Sequence, residues 1–231
     1  MTHPSVMDII SEIQQVRDIF CDSKDKLVAS YSSWNKDKDA RITLFHKCTN
    51  VLNDTQLGLE FTQFHLTQQQ WWSLVAKENI PNQDKQKYID EFVMFIKMGF
   101  LQFTFSSIES SFRLIVKNID PTACSKGTAE FKSIYSFLFT KIGLQKWEPL
   151  LYLLRCIRNT IHNNGVYFHR SGNNETITYK GVNYSFVIGL TVDFVKWEFL
   201  ISMMKDINEM LCEVVTHSDV AKISSIIDPF F

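Results

Sequence analysis

The sequence has few of the residues that interrupt regular secondary structure, with 8 glycines and 5 prolines in 231 residues. It has 19 phenylalanines, and 45% of its residues are apolar, which excludes a disordered chain. A chain with few turn residues and many large side chains is expected to form long elements around a bulky core. The composition therefore favours a mainly helical globular protein over a sandwich of many short strands.

Signals for membranes and for general nucleic-acid binding are also missing. The formal net charge is -1, which gives no field for holding nucleic acid non-specifically, although a small basic pocket for one phosphate remains compatible. The most apolar run, residues 92–105, contains Lys97 and Gln102 and is too short to cross a bilayer. Asp8 and Glu12 interrupt the N-terminal segment, which is unlike a signal peptide. We therefore expect a soluble, cytoplasmic protein with no membrane partner.

Motifs for metals and common cofactors do not occur. The five cysteines are scattered without a CxxC pair, and the closest metal-type pair, His46 and Cys48, has a weak spacing for zinc. There is no glycine-rich phosphate loop, GxSxG elbow or HExxH pair. We expect no disulfide framework, no metal and no cofactor. Trp71 and Trp72 could stack on bases, but we expect a core or interface role, and His169 is expected in a strand.

Apolar residues recur at helical spacing along most of the chain. We predict helices over residues 5–31, 41–52, 82–118, 129–142 and 191–216, and Asn53 and Asp54 are expected to end the second one. Thr67 is the predicted N-cap of a short helix that ends near residues 79–81. One further helix begins near Pro149 and closes at Asn164 and Gly165, with the glycine at the left-handed C′ position.

Residues 166–170, 175–179 and 182–187 are short runs of β-forming residues, separated by turn residues. They predict a small antiparallel hairpin or meander inserted before the last helix. We thus predict an all-α fold, a single helical bundle with this insertion at about 166–188. Residues 1–231 are interpreted as one domain, with residues 1–80 as an N-terminal helical extension and residues 82–217 as the core.

The helix over residues 82–118 is expected to lie at the centre of the bundle. Its apolar residues are spaced three and four apart, as in a packing seam: Met98, Leu101, Phe105, Ile108, Phe112 and Ile115. A second apolar face comprises Phe92, Ile96, Phe103 and Leu114. Between the two faces runs a polar strip: Gln102, Ser106, Glu109 and Arg113.

One cluster has the residue types that chemistry requires. Arg155, Arg158 and His162 share one face of their helix, where three potential cations repel one another and need a carboxylate such as Glu109, or a phosphate. Arginine offers a rigid fork to phosphate oxygens, and histidine can transfer a proton near neutral pH. These groups suffice for phosphodiester cleavage without a metal, in which a base deprotonates a ribose 2′-OH and a cation stabilises the charge on phosphate. The alternative is structural: cations near a helix C-terminus interact with its dipole and often form surface ion pairs.

The stretch from Leu154 to Gly165 (LRCIRNTIHNNG) resembles the signature helix of HEPN-domain proteins, in which four to six residues separate an arginine, often followed by a polar residue, from a histidine. Arg158 and Asn159 supply the arginine and its polar neighbour, and Arg155 has the family spacing to His162. The segment from Glu109 to Arg113 (ESSFR) resembles a second feature of the family, a glutamate and a basic residue on an earlier helix of the bundle.

The resemblance implies a helical bundle over about residues 82–216 and, as in ribonucleolytic members, a homodimer whose two signature helices form a metal-independent RNA-cleaving site. In that interpretation His162 transfers the proton, Arg158 and Arg155 bind the phosphate, Asn159 assists, and Glu109 orients or neutralises the cluster with Arg113 nearby. The setting would be a toxin–antitoxin pair or antiviral defence, with an antitoxin or defence partner. Two alternatives stay open: a non-catalytic helical module for homodimerisation or interaction, and a nucleotide-sensing domain.

Overall fold

The computed structural model describes residues 6–76, 80–123, 130–169 and 171–231. The predicted fold class, an all-α bundle with a small antiparallel hairpin before the last helices, is confirmed. The helices are α1 (Val6–Ser30), α2 (Ala40–Phe61), α3 (Gln69–Val75), α4 (Asn82–Ile119), α5 (Phe131–Ile142), α6 (Glu148–Ile161), α7 (Trp197–Thr216) and α8 (Ser218–Ala221). A π-helical turn (Thr62–Leu66) extends α2, a 3-10 turn (Gln145–Trp147) precedes α6, and the strands are β1 (Glu175–Tyr179) and β2 (Val182–Phe186).

The long helix α4 lies at the centre, where it packs against α2, α5 and α6, while α1 packs against α2 and α7. The predicted seam of α4 is confirmed, because from Leu101 to Ile115 its members are buried. The predicted second face is wrong at Phe103, whose surface is 65% exposed. Buried residues from Ile9 in α1 to Ile226 near the C-terminus belong to one hydrophobic cluster, so the two N-terminal helices share the core of the others.

Helix α2 continues past Asn53 and Asp54, so the predicted end at these residues is wrong. The neighbouring Leu52, Thr55 and Leu59 are buried, and their tertiary packing outweighs the low helix propensity of asparagine and aspartate.

Thr67 is not the N-cap of α3, so the predicted cap is wrong. Its hydroxyl donates back to the carbonyl of Gln63 (2.5 Å), and Gln68 takes the cap position without a side-chain hydrogen bond.

The last long helix begins at Trp197 and not at residue 191. Val166 and Thr191 form an isolated antiparallel bridge, and the Val192 N–H donates to the carbonyl of Gly165 (3.1 Å). The β-branched residues of this segment suit that extended pairing. The predicted first strand is therefore reduced to the bridge at Val166. Its predicted end at Arg170 lies outside the described residues. The predicted helix ends at residues 5, 79 and 129 and the residue Cys124 also lie outside them.

The predicted hairpin is confirmed, with Glu175 opposite Phe186 and Tyr179 opposite Val182. The two-residue turn is Lys180 and Gly181, both with positive φ (48° and 75°). Two positive φ values define the turn whose twist matches that of antiparallel strands.

The C-terminal segment is fastened to the start of α2 by a buried ion pair. The Arg41 guanidinium donates through Nε and Nη2 to Asp39 (2.8 and 2.7 Å), and both side chains are 0% exposed. Through Nη1 the same guanidinium donates to the carbonyls of Val220 (2.9 Å) and Ile223 (2.8 Å). Asp39 thus serves both as the N-cap of α2, accepting from the Arg41 N–H, and as the counter-ion.

In the described ranges, no helix is both long enough and apolar enough to cross a membrane.

Candidate functional site

Helix α6 carries the predicted cluster on the flank of a strongly amphipathic helix. Its apolar side is buried in the core, with Leu150, Leu154 and Ile157 each at most 1% exposed. Pro149 stands in the first turn, as predicted. Arg155 and Arg158 are half-buried, and His162, which keeps right-handed helical dihedral angles just after the last turn, is exposed. The helix therefore presents the two arginines and the imidazole along one side.

Asn164 and Gly165 close the helix as predicted, but the left-handed C′ position belongs to Asn164 and not to Gly165. The Asn164 N–H donates to the carbonyl of Ile161 (3.2 Å), and the Gly165 N–H donates to that of Thr160 (2.9 Å). This pair of bonds is a Schellman motif, which places Asn164 (φ 52°) at the left-handed position and Gly165 (φ 85°) after it. The turn holds His162 at the end of the helix, on the surface.

Arg158 reaches from α6 to α4. Its guanidinium carbon lies 5.0 Å from the centre of the Phe105 ring, a cation–π contact. Its Nη1 donates a long bond to the side-chain oxygen of Asn159 (3.4 Å), and its Nε is buried with no partner among the described residues. Asn159 therefore contacts Arg158, and its supporting role stays a prediction.

Arg155 turns away from Arg158 toward the hairpin. Its guanidinium carbon lies 4.9 Å from the centre of the Tyr152 ring, and its Nε is also buried without a partner. Two guanidinium groups that each keep a buried N–H unpaired have unused capacity to bind an anion.

Glu109 and Arg113 form an ion pair with each other. Arg113 donates through Nε to Glu109 Oε1 (3.2 Å), one turn apart on α4. Over the part of the chain that the structure describes, neither Arg155 nor Arg158 forms an ion pair with a carboxylate. Phe105, on which Arg158 rests, lies one turn before Glu109, so the glutamate is close in the helix but is already paired. Within one chain the cluster is not neutralised by Glu109.

A second group of polar side chains next to Arg155 was not predicted. The Tyr152 hydroxyl donates to the carboxylate of Glu175 on β1, and the Cys156 thiol lies 3.7 Å from the same oxygen. The hydroxyl of Tyr167, whose side chain is 1% exposed, has no partner. The hairpin thus places one carboxylate on α6, beside the arginine but without an ion pair to it.

The groups around Glu175 are held protonated. Burial, and next the charge of Glu175, raise the pKa of the Cys156 thiol to about 12 and that of the Tyr167 hydroxyl to about 12. Burial, followed by the hydrogen bond to Glu175, also raises the pKa of Tyr152. A thiol acts as a nucleophile only as thiolate, so Cys156 is a hydrogen-bond donor here and not a catalytic nucleophile.

The remaining sequence candidates lie apart from this site. His169 interacts through Nδ1 with the Ser171 hydroxyl (2.7 Å), and its ring stacks on Tyr167. His46 stacks on Phe231, and burial raises the pKa of Cys48 to about 12. In the described residues no group of three or more His, Cys, Asp or Glu side chains could hold a metal ion.

Trp71 and Trp72 lie in an aromatic group at one end of the bundle, with Phe61, Phe92 and Tyr88. Both tryptophans are half-buried, so they serve largely as packing for the short helix α3 on α4.

Comparison with protein-family models, with curated proteins and with solved structures finds no match for this chain.

Proposed function

We propose that this chain is an RNA-acting protein of HEPN type, a metal-independent endoribonuclease whose site is composed of the α6 helices of two copies. The observation that carries the proposal is the pair of arginines, each without a carboxylate partner in the described part of the chain, beside an exposed histidine on one helix side.

The electrostatics of α6 favour a phosphate ligand. In the part of the chain that the structure describes, neither Arg155 nor Arg158 forms an ion pair, and each keeps a buried Nε–H without an acceptor. A phosphate would supply negative charge to the two guanidinium groups, and charge-assisted hydrogen bonds to arginine contribute about 1.5–3 kcal/mol each. Their stacking on Phe105 and Tyr152 fixes the two guanidinium planes before a ligand arrives.

The proposed reaction is an internal transfer at phosphorus. His162 of one copy takes the proton of a ribose 2′-OH, and the 2′-oxygen bonds to phosphorus. The bond from phosphorus to the 5′-oxygen breaks, and that oxygen receives a proton from the imidazolium of His162 in the second copy. Arg155 and Arg158 stabilise the charge on the non-bridging oxygens. The products are a 2′,3′-cyclic phosphate and a 5′-hydroxyl, and no metal is needed at any step.

The first test measures cleavage rates of mixed-sequence RNA in excess EDTA for wild type, His162→Ala and Arg158→Ala. The proposal predicts losses of at least about 100-fold in both variants, since a base or a charge-stabilising group is removed. The matched control is His169→Ala, which removes a histidine seven positions later, bonded to Ser171, and should stay within about twofold of wild type. Equal rates for all four proteins would contradict the assignment.

A second candidate function, a non-catalytic interaction module, is favoured by a different surface. The aromatic end of the bundle leaves large apolar side chains exposed: Leu74 (79%), Phe95 (70%), Phe103 (65%) and Phe64 (56%). Exposed large apolar side chains are a feature of protein contact surfaces.

Size measurement in solution separates the two candidates. If the chain acts only through this surface, Phe95→Ser abolishes its association with a partner copy or protein while His162→Ala leaves that association intact. In that case no RNA is cleaved by the wild type.

A further inference from the structure

A cavity of about 170 Å³ lies on the side of α6 opposite the arginines. It is bounded by the first half of α4, the end of α6 and the extended segment before α7. Its lining residues are mostly apolar: Met94, Met98, Leu101, Ile157, Ile161, Val192 and Val195, with Lys97, Thr160, Asn164, Gly165 and Thr191. None of Arg155, Arg158 and His162 contributes, so an inference from this cavity does not depend on the proposed RNA cleavage.

Lys97 is the one cationic group among the lining residues. Its side chain is half-buried, and its Nζ donates a long bond to the Val195 carbonyl (3.4 Å) and lies 5.6 Å from the centre of the Trp197 ring. An ammonium group has three donors, so two remain for a ligand. Burial lowers the pKa of Lys97, and the exposed Glu198 acts in the opposite direction. A bound anion would stabilise the charged form of the Lys97 ammonium, which burial disfavours.

Among the polar lining residues other than Lys97, Thr160 has no free hydroxyl proton to donate to an anion. The Thr160 hydroxyl is engaged with the carbonyl of Ile157 (2.7 Å). Asn164, Gly165 and Thr191 also line the cavity, and the rest of the wall is formed by aliphatic and methionine side chains, which favour an apolar ligand body.

The volume sets the size of the ligand. An apolar protein cavity of roughly 150 Å³ is known to accommodate benzene. The present cavity of about 170 Å³ is slightly larger, so it matches one six-membered ring with a small group attached, or an aliphatic chain of about six carbons.

We propose that this cavity binds a small apolar carboxylate, either a monocyclic aromatic acid or a short aliphatic acid. Its carboxylate pairs with the Lys97 ammonium, and its apolar body lies against Met98, Leu101 and Ile157.

The test is calorimetric titration of the full chain with benzoate and hexanoate, and with benzyl alcohol as the neutral analogue of benzoate. Lys97→Met removes the ammonium but keeps an apolar side chain. Lys196→Met is the matched control, because it removes an exposed lysine one residue outside the cavity wall. Val192→Phe fills the cavity without changing charge, and it tests the site if Lys97→Met proves poorly folded by circular dichroism.

The expected result is saturable binding of benzoate, weakened about tenfold or more by Lys97→Met and by Val192→Phe and changed less than about twofold by Lys196→Met. Benzyl alcohol should bind wild type and Lys97→Met equally. The inference is overturned if neither acid binds, if Val192→Phe binds benzoate as wild type does, or if Lys196→Met loses as much affinity as Lys97→Met.

Discussion

Replacing Arg41 by methionine should destabilise the protein more than any other single loss of charge in the described residues. The variant leaves the Asp39 carboxylate, which is 0% exposed, without its bidentate partner. It also removes the donor to the carbonyls of Val220 and Ile223. Removing one member of a buried ion pair typically costs about 3–5 kcal/mol, against a total stability of about 5–15 kcal/mol for a domain.

The control is Lys87→Met, because Lys87 pairs with Glu91 at the surface, where the two side chains are 74% and 62% exposed. Such a pair contributes about 0–1 kcal/mol. Urea unfolding followed by circular dichroism measures both variants against wild type. A loss below about 1 kcal/mol for Arg41→Met, or equal losses for the two variants, would refute the view that this ion pair fastens the C-terminal segment.

Three further predictions concern stability and reactivity. Gly143 has φ 71°, so Gly143→Ala should lower the free energy of unfolding by about 1 kcal/mol through backbone strain. Gly99 lies inside α4, so Gly99→Ala should raise the free energy of unfolding by about 0.5–1 kcal/mol. Urea midpoints that move in the same direction for the two variants would contradict this. Cys48 is fully buried, and burial raises the pKa of its thiol to about 12. Among the described cysteines it should therefore react most slowly with iodoacetamide at pH 8, as measured by peptide mass mapping. Labelling of Cys48 before the other described cysteines would contradict this prediction. Burial opposes the charge of Asp228, but the hydrogen bonds from Lys47, Thr43 and the Phe230 N–H, together with the charge of Lys47, outweigh burial and lower the pKa of Asp228. This stabilisation is therefore present at neutral pH and is lost as the pH falls below about 4. An acid-induced shift of the urea midpoint that Lys47→Met leaves unchanged would contradict it.

Local sequence signals predicted the elements whose ends carry strong stop signals. Helix α4 ends at Ile119, just before Asp120 and Pro121, and the hairpin turns at Lys180 and Gly181. The sequence failed where packing outweighed propensity, as at Asn53 in the interior of α2. It also failed where a distant pairing extends the chain, as at Thr191, which is bridged to Val166.

The candidate site was predictable only along its own helix. Helical periodicity groups Arg155, Arg158 and His162, but it carries no information about the Glu175 carboxylate, which comes from a hairpin 20 residues farther along the chain than Arg155. A local signal in the sequence favours an ion pair between Glu109 and Arg113. Glu109 and Arg113 are four residues apart on α4, the spacing of an intrahelical ion pair, which favours their pairing with each other.

The most direct test of the central claim is to incubate the wild-type protein with RNA in excess EDTA and to determine the chemistry of any ends formed. The account predicts 2′,3′-cyclic phosphates and 5′-hydroxyls, read by resistance of the 3′ ends to phosphatase until acid opens the ring, and it predicts that His162→Ala produces neither. Products with 5′-phosphates, cleavage that requires a divalent metal, or intact RNA after incubation with a verified dimer would contradict it.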